Sequence, residues 1–256
     1  MRPLPKGHDL LAWTSILGAS RGLLRALGDL AYPGECLICG LDGVRPPCCD
    51  DCRAELLGGA GAACPRCAAT VGPWESVEGG CVGCRGKSLG FDAAVALGPY
   101  AGPIRHLVLA MKHERMAMLA DWLAGLVVEA RGESIAFGPG ALVAGVPLHW
   151  HRQWTRRYNQ ADALAAGLAR RLGLAAIRPL RRRRATPKLA ALSRKARDAM
   201  LKDAFVARRG ATALKGRTVL LVDDVLTTGA TCGAAARTLK RAGAARVVAV
   251  VVARAP

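Results

Sequence analysis

Residues 219–231 read "VLLVDDVLTTGAT". An apolar run stops on two adjacent carboxylates, Asp223 and Asp224, and then opens into hydroxyls and a glycine. Apolar residues without alternation fit a strand buried on both faces, as in a parallel sheet covered by helices. In such sheets ligands gather beyond the carboxyl ends of the strands, which is where the acids are expected. Thr227, Thr228, Gly229, Ala230 and Thr231 are expected to form the turn into the next helix. Gly229 permits a tight backbone, consecutive N–H groups can converge on one anion, and a helix N-terminus adds partial positive charge. The two carboxylates cannot face that anion without repulsion. They suit the hydroxyls of a vicinal diol, directly or through hydrated Mg²⁺. Acids for a sugar and a nest for its phosphate describe a ribose 5-phosphate site. An NTPase Walker B strand shares the apolar-then-acid pattern, but it needs a GxxxxGK[ST] loop that the sequence lacks. The remaining alternative is structural, with the acids capping the turn.

The flanking sequence repeats the same grammar. "FDAAVALGPY" reads as a strand or strand pair, and "AGPIRHLVLAMKHERMAMLADWLAGLVVEAR" as one or two helices with "KHE" near their junction. "ALVAGVPL" (141–148) is a short buried strand, and "NQADALAAGLARRLG" (159–173) a helix closed by Gly173. "TVLLV" (218–222), "GATCGAAARTLKRAG" (229–243) and "RVVAVVVA" (246–253) continue as strand, helix and strand. The expected fold class is α/β with a mostly parallel sheet covered on both faces.

Cysteine separates the chain into two halves, since nine of the ten lie between Cys36 and Cys84. They include four pairs of C-x-x-C spacing: Cys36/Cys39, Cys49/Cys52, Cys64/Cys67 and Cys81/Cys84. Two intervening residues let both thiolates reach one ion, and two pairs complete a tetrahedral S₄ shell. Two structural zinc ions are expected. The pairs combine either in sequence or crossed, first with third. A redox C-x-x-C normally stands alone, and nothing in the sequence indicates export, so a disulfide framework does not fit. Cys48 is a spare thiol.

Residues 10–30 carry Leu and Ile at helical spacing, interrupted by Arg21 and Arg25. They read as an amphipathic helix that packs on the next domain or lies on a membrane surface, not as a secretory segment. No apolar run reaches the roughly 18 residues of a membrane span, and the expected location is cytoplasmic. The expected organisation is this helix (10–30), a cysteine module (32–87) and an α/β domain (91–254). The net charge is +18, of which 19 Lys/Arg against three Asp fall between Arg152 and Arg217. So regional a field attracts polyanions, either nucleic acid or a substrate with several phosphates. Arginines on a solvated surface would give the same count.

The segment 219–231 resembles the signature of type I phosphoribosyltransferases that binds 5-phosphoribosyl 1-pyrophosphate (PRPP). The wider chain resembles the competence protein ComF family, also called GntX-like. The matching elements are the four cysteine pairs, "YAGPIRHLVLAMKH", "VPLHWHRQWTRRYNQADALA", "ATPKLAALSRKARDAMLKDAF" and "LLVDDVLTTGATCGAAARTLKRAGA". They cover nearly everything from Cys36 to Arg254. The resemblance implies a double zinc ribbon followed by a phosphoribosyltransferase-like domain. By it, Asp223 and Asp224 take the ribose hydroxyls, Thr227–Thr231 the 5-phosphate, and the loop near His149 to Arg152 the pyrophosphate. The chain departs from the family pattern at "RRYNQ", where Arg157 and Tyr158 replace Gly and Phe, and at Leu189 and Met200.

The implied chemistry is transfer of a phosphoribosyl group to or from a nitrogenous acceptor, with Mg²⁺ accompanying PRPP and pyrophosphate as co-product. Positive charge develops on the ribose as pyrophosphate departs, so cations must stabilise the leaving group and a lid must exclude water. Lys112, Arg152 and Arg156, with Arg105 and Arg157, are the candidate cations; with Asp223 and Asp224, the first three complete the candidate catalytic set. Residues 181–200 are a candidate lid. With only Arg254, Ala255 and Pro256 after the last strand, no C-terminal hood for a base is expected. The second expectation, of a different class, is a non-catalytic accessory of DNA uptake or recombination. It would bind single-stranded DNA or a helicase or recombination partner.

Overall fold

The computed structural model describes residues 34–44, 47–59, 61–113, 117–148, 158–183, 203–208 and 211–256. The leader helix expected over 10–30 lies outside them. In chain order the elements begin with helix Asp50–Gly58 (α1), strand Ala93–Pro99 (β1), and helices Gly102–Ala110 (α2) and Ala117–Arg131 (α3). Strand Leu142–Gly145 (β2) and helix Gln160–Leu172 (α4) follow, then the short strands Ala175–Ile177 (β3), Leu180–Arg182 (β4) and Phe205–Ala207 (β5). Strand Thr218–Leu226 (β6), helix Ala230–Arg241 (α5) and strand Arg246–Arg254 (β7) complete the series.

Five strands form one sheet in the order β1-β7-β6-β2-β3, and every pairing in it is parallel. Strands β4 and β5 form a separate antiparallel pair. The parallel sheet follows from the apolar runs. Successive side chains of a strand point to opposite faces, so a run such as "VLLV" stays buried only where both faces are covered. On one face Val219, Leu221, Ala249 and Val251 share a core with Ala235 and Leu239 of α5, and with Leu89 and Phe91. On the other face, α3 packs against β1 and β7, and α4 against β2 and β6.

Helix α4 has the ends its sequence foretells. The Asn159 side chain accepts the Ala161 N–H at its start, and Gly173 closes it in the left-handed region at φ 64°. Strand β6 differs from expectation. The acids were expected beyond its end, yet the strand runs on through Asp223 and Asp224 to Leu226. Nine-residue β7 keeps pairing with it, matching Asp223 to Val251 and Leu226 to Arg254. The four-residue β2 has meanwhile stopped, its last partner on β6 being Val222. Among the described residues, the acid pair therefore sits where β6 has a neighbouring strand on one edge only.

The chain divides into two compact units, Met1–Arg53 and Ala54–Pro256, with the division falling inside α1. Cys36, Cys39, Cys49 and Cys52 belong to the first unit. Cys64, Cys67, Cys81 and Cys84 belong to the second and are buried in the same core cluster as β6 and β7.

Candidate functional site

Each acid accepts a hydrogen bond from the backbone of its own strand. Asp223 Oδ1 accepts the Asp224 N–H at 2.9 Å, and Asp224 Oδ1 accepts the Val225 N–H at 2.7 Å. The second oxygens differ in surroundings. Asp224 Oδ2 lies 3.5 Å from Lys112 Nζ and accepts from Gln160 Nε2 at 3.2 Å. Asp223 Oδ2 has the Cys232 thiol of α5 at 3.9 Å. Burial, and after it the Asp224 carboxylate, push the Asp223 pKa well above the ordinary carboxylate range; the Arg182 guanidinium opposes this. The thiol of Cys232 is pushed up as well, chiefly by burial.

The turn follows directly. Gly229 caps α5 at φ 78°, a conformation that side-chain-bearing residues rarely adopt, and a Cβ there would lie 3.3 Å from the Phe91 ring. The Gly229 carbonyl accepts the Gly233 N–H at 2.7 Å to start the helix, and Thr228 Oγ1 accepts the Ala230 N–H at 3.4 Å. Thr227 is exposed, and Thr228 and Thr231 are half-buried. The turn thus presents hydroxyls and a helix N-terminus beside two acids, hydrogen-bond donors next to acceptors.

The structure brings Lys112 to the acid pair from the segment after α2. Arg105 is exposed on α2. Arg152, Arg156, Arg157 and residues 184–200 of the expected lid lie outside the described residues. Gln160 was not foreseen at the site, and Arg182 was foreseen only as part of the candidate lid 181–200, whose first residues belong to β4. Gln160 opens α4 immediately after its Asn159 cap, which aims it at the end of β6; its position in "YNQ" before an Ala/Leu helix is the one signal in the sequence. Gln160 is buried, and its Oε1 has no hydrogen-bond partner among the described residues. Arg182 stacks over Phe205 with its guanidinium carbon 5.4 Å from the ring centroid. Three-residue strands carry too short a pattern to be read from sequence.

A cavity of about 650 Å³ opens at the carboxyl ends of β2 and β3, lined among others by Gly145, Pro147, Tyr158 and Arg178. The Tyr158 hydroxyl is buried without a partner among the described residues, and burial raises its pKa to about 12. Arg178 Nε pairs with Asp162 at 3.0 Å on the cavity wall.

The cysteines assemble as two tetrads taken in sequence order, Cys36/Cys39/Cys49/Cys52 and Cys64/Cys67/Cys81/Cys84, not crossed. Within each, all sulfurs lie within 4.8 Å of one another. Zinc–thiolate bonds of about 2.3 Å in a tetrahedron put sulfurs about 3.8 Å apart. The observed separations are 3.8 Å for Cys39–Cys49, 3.7 Å for Cys64–Cys84, 3.6 Å for Cys67–Cys81 and 3.8 Å for Cys81–Cys84. Backbone N–H groups donate to the sulfurs, as from Cys81 to Cys64 at 3.3 Å and Ile38 to Cys36 at 3.4 Å. Both tetrads fit a tetrahedral thiophilic ion. Cys48 belongs to neither.

The fold is of the phosphoribosyltransferase type, and residues 161–256 match the family model of the phosphoribosyl transferase domain. DNA utilization protein YhgH of Salmonella typhi is 32% identical over 229 residues, spanning 85% of this chain and 96% of the relative. Its Escherichia coli K12 counterpart is 31% identical over the same length. Competence protein F of Haemophilus influenzae is 33% identical over 168 residues, 64% of this chain and 73% of the relative. The chain belongs to the family of these proteins, the ComF/YhgH family. Among solved structures, the Bacillus subtilis glutamine PRPP amidotransferase aligns over 55% of this chain and 26% of its own, at 19% identity and TM-score 0.34. Adenine phosphoribosyltransferase of Leishmania tarentolae aligns over 54% and 71%, at 15% identity and TM-score 0.34. Among the described residues no helix is long and apolar enough to cross a membrane.

Proposed function

We propose that the protein binds PRPP together with Mg²⁺ at the end of β6 and transfers its phosphoribosyl group to a nitrogenous acceptor, releasing pyrophosphate. The observation that carries this reading is the juxtaposition of Asp223 and Asp224 with the glycine-hinged turn at the start of α5. The ribose hydroxyls donate to the acid pair, and the turn's N–H groups and the hydroxyls of Thr227, Thr228 and Thr231 hold the 5-phosphate. The hard oxygens of the two acids suit Mg²⁺, which when bound neutralises pyrophosphate charge. Lys112, already beside Asp224, and the arginines Arg152 and Arg156 are assigned to the leaving group. Two zinc ions in the cysteine tetrads have a structural role, and eight reduced thiolates suit a cytoplasmic protein. The test is calorimetric titration of the zinc-replete protein with PRPP and Mg²⁺, paired with a pyrophosphate-release assay, on wild type and on Asp223→Asn/Asp224→Asn. Binding and release in the wild type, both lost in the variant, are expected. No binding in the wild type sinks the proposal.

A second reading rests on a separate observation: the relatives carry the names DNA utilization protein and competence protein. On this reading the chain serves DNA uptake or recombination without turnover, its Arg152–Arg217 segment meeting single-stranded DNA or a DNA-processing partner. Binding of single-stranded DNA that weakens steeply with salt supports it. PRPP binding without pyrophosphate release would join the two readings, with the site sensing a ligand.

A further inference from the structure

The last arginine of β7 stands between the second cysteine tetrad and the phosphate turn and bonds to both. Arg254 Nε donates to the carbonyl of Cys67, a member of that tetrad, at 3.0 Å. The two hydrogens of its Nη1 reach the carbonyls of Leu226 at 3.0 Å and Thr227 at 2.7 Å. The Ala255 N–H also donates to Leu226 O at 2.9 Å. One guanidinium therefore fixes the Cys67 peptide and the first two peptides of the turn.

The fixed peptides decide where the turn's donors point. In a planar trans peptide the C=O and the following N–H point in opposite directions. With Thr227 O held toward Arg254, the Thr228 N–H is aimed to the opposite side, and the Leu226 carbonyl fixes the Thr227 N–H likewise. Side-chain packing behind the turn is incomplete: a cavity of about 260 Å³ lies there, lined by Lys87, Leu89, Phe91, Thr228, Gly229 and Arg254 among others. Hydrogen bonds from Arg254, with Phe91 against Gly229, hold the turn from that side.

We infer that Arg254 is a positioning residue that couples metal occupancy of the Cys64/Cys67/Cys81/Cys84 tetrad to the shape of the Thr227–Thr231 turn. Loss of metal there frees the Cys67 carbonyl, the guanidinium loses its anchor, and the turn's amides lose their common aim. The inference rests on the reading that this turn takes a phosphate, and it makes ligand affinity dependent on the second metal site.

The test is a cycle of Arg254→Met, Cys84→Ser and their combination in the full chain, read by zinc content, by amide hydrogen exchange of residues 227–231, and by PRPP affinity. Arg254→Met is expected to keep both zinc ions while exchange at the turn quickens and PRPP affinity falls about tenfold, the scale of one lost charge-assisted hydrogen bond. Cys84→Ser is expected to release one zinc and quicken the same amides. The combination is expected to add little to either, since both break one connection. Multiplying effects overturn the inference. So does unchanged turn exchange in zinc-loaded Arg254→Met, an outcome that decides even if Cys84→Ser fails to fold. Arg254→Lys, which can hold one carbonyl but not span three, is expected to restore part of the protection. Absence of PRPP binding in wild type sinks the proposed function, while the exchange cycle still decides the coupling.

Discussion

Replacing Asp223 by Asn is expected to make the protein more stable and its site non-functional. The carboxyl is half-buried, and burial together with Asp224 raises its pKa well above the ordinary range. A carboxyl whose folded pKa exceeds its unfolded value of about 3.9 binds its proton more tightly in the folded state. Stability is therefore lost as pH rises from that value through the raised folded pKa, and the full penalty is present above it. Each unit of displacement corresponds to about 1.4 kcal/mol. Asparagine keeps an oxygen for the Asp224 N–H, which Asp223 Oδ1 accepts at 2.9 Å, and removes the buried charge. A gain of about 1–2 kcal/mol at neutral pH is expected, the usual range for relieving a functional-site strain. Urea unfolding of zinc-loaded wild type and variant at about pH 5 and about pH 8 measures it, with the pH chosen to bracket the window opened above the unfolded pKa. The wild type should lose more stability across that interval than Asp223→Asn. PRPP binding to the wild type should strengthen over the same interval as the proton leaves. Equal pH slopes, or a variant less stable than wild type at the higher pH, would refute the reasoning.

Four further outcomes follow from the same geometry. Gln160→Glu sets a carboxylate where Nε2 now lies 3.2 Å from Asp224 Oδ2; a loss of about 2–3 kcal/mol at neutral pH, relieved in acid, should appear in the same urea titrations. Gly229→Ala forces a side chain into φ 78° against Phe91; calorimetry should show about 1 kcal/mol lost and weaker PRPP binding. Lys112→Met removes the cation 3.5 Å from Asp224 and should weaken PRPP affinity about tenfold or more, with the melting temperature moved little. Metal analysis should find two zinc per chain, and stripping with a chelator should lower the melting temperature, because the second tetrad lies in the core beside β6 and β7.

The long elements and the four cysteine pairs were legible because their signals are local. Unbroken apolar runs give β6 and β7, an Ala/Leu stretch between Asn159 and Gly173 gives α4, and C-x-x-C spacing gives thiol pairs. What decides the site is not local. That β6 outruns β2 depends on the lengths of two strands far apart in sequence, and it converts acids expected beyond a strand into acids on its open edge. Gln160 reaches Asp224 only through the placement of α4 against β6, and Arg182 comes within electrostatic reach of Asp223 through a three-residue strand whose pattern is too short to see. That the second tetrad would share a core with the parallel sheet is likewise absent from the cysteine spacing.

The two acids are equivalent in sequence and unlike in structure. Asp224 has a lysine and a buried amide at one oxygen, whereas Asp223 Oδ2 faces the thiol of Cys232 and Asp223 bears the cost of burial. A ligand hydroxyl or cation placed between them therefore gains most at Asp223, whose charge is the less compensated before binding. Asp224, already neutralised in part by Lys112, keeps its geometry whether or not the site is filled. Each acid thus has a separate part, since Asp224 is held ready by its neighbours and Asp223 is stabilised chiefly by what binds. That division explains why a single Asn at 223 should cost binding while favouring the empty fold, and why the same change at 224, which removes the carboxylate facing Lys112 and Gln160, should cost binding without the same gain in stability.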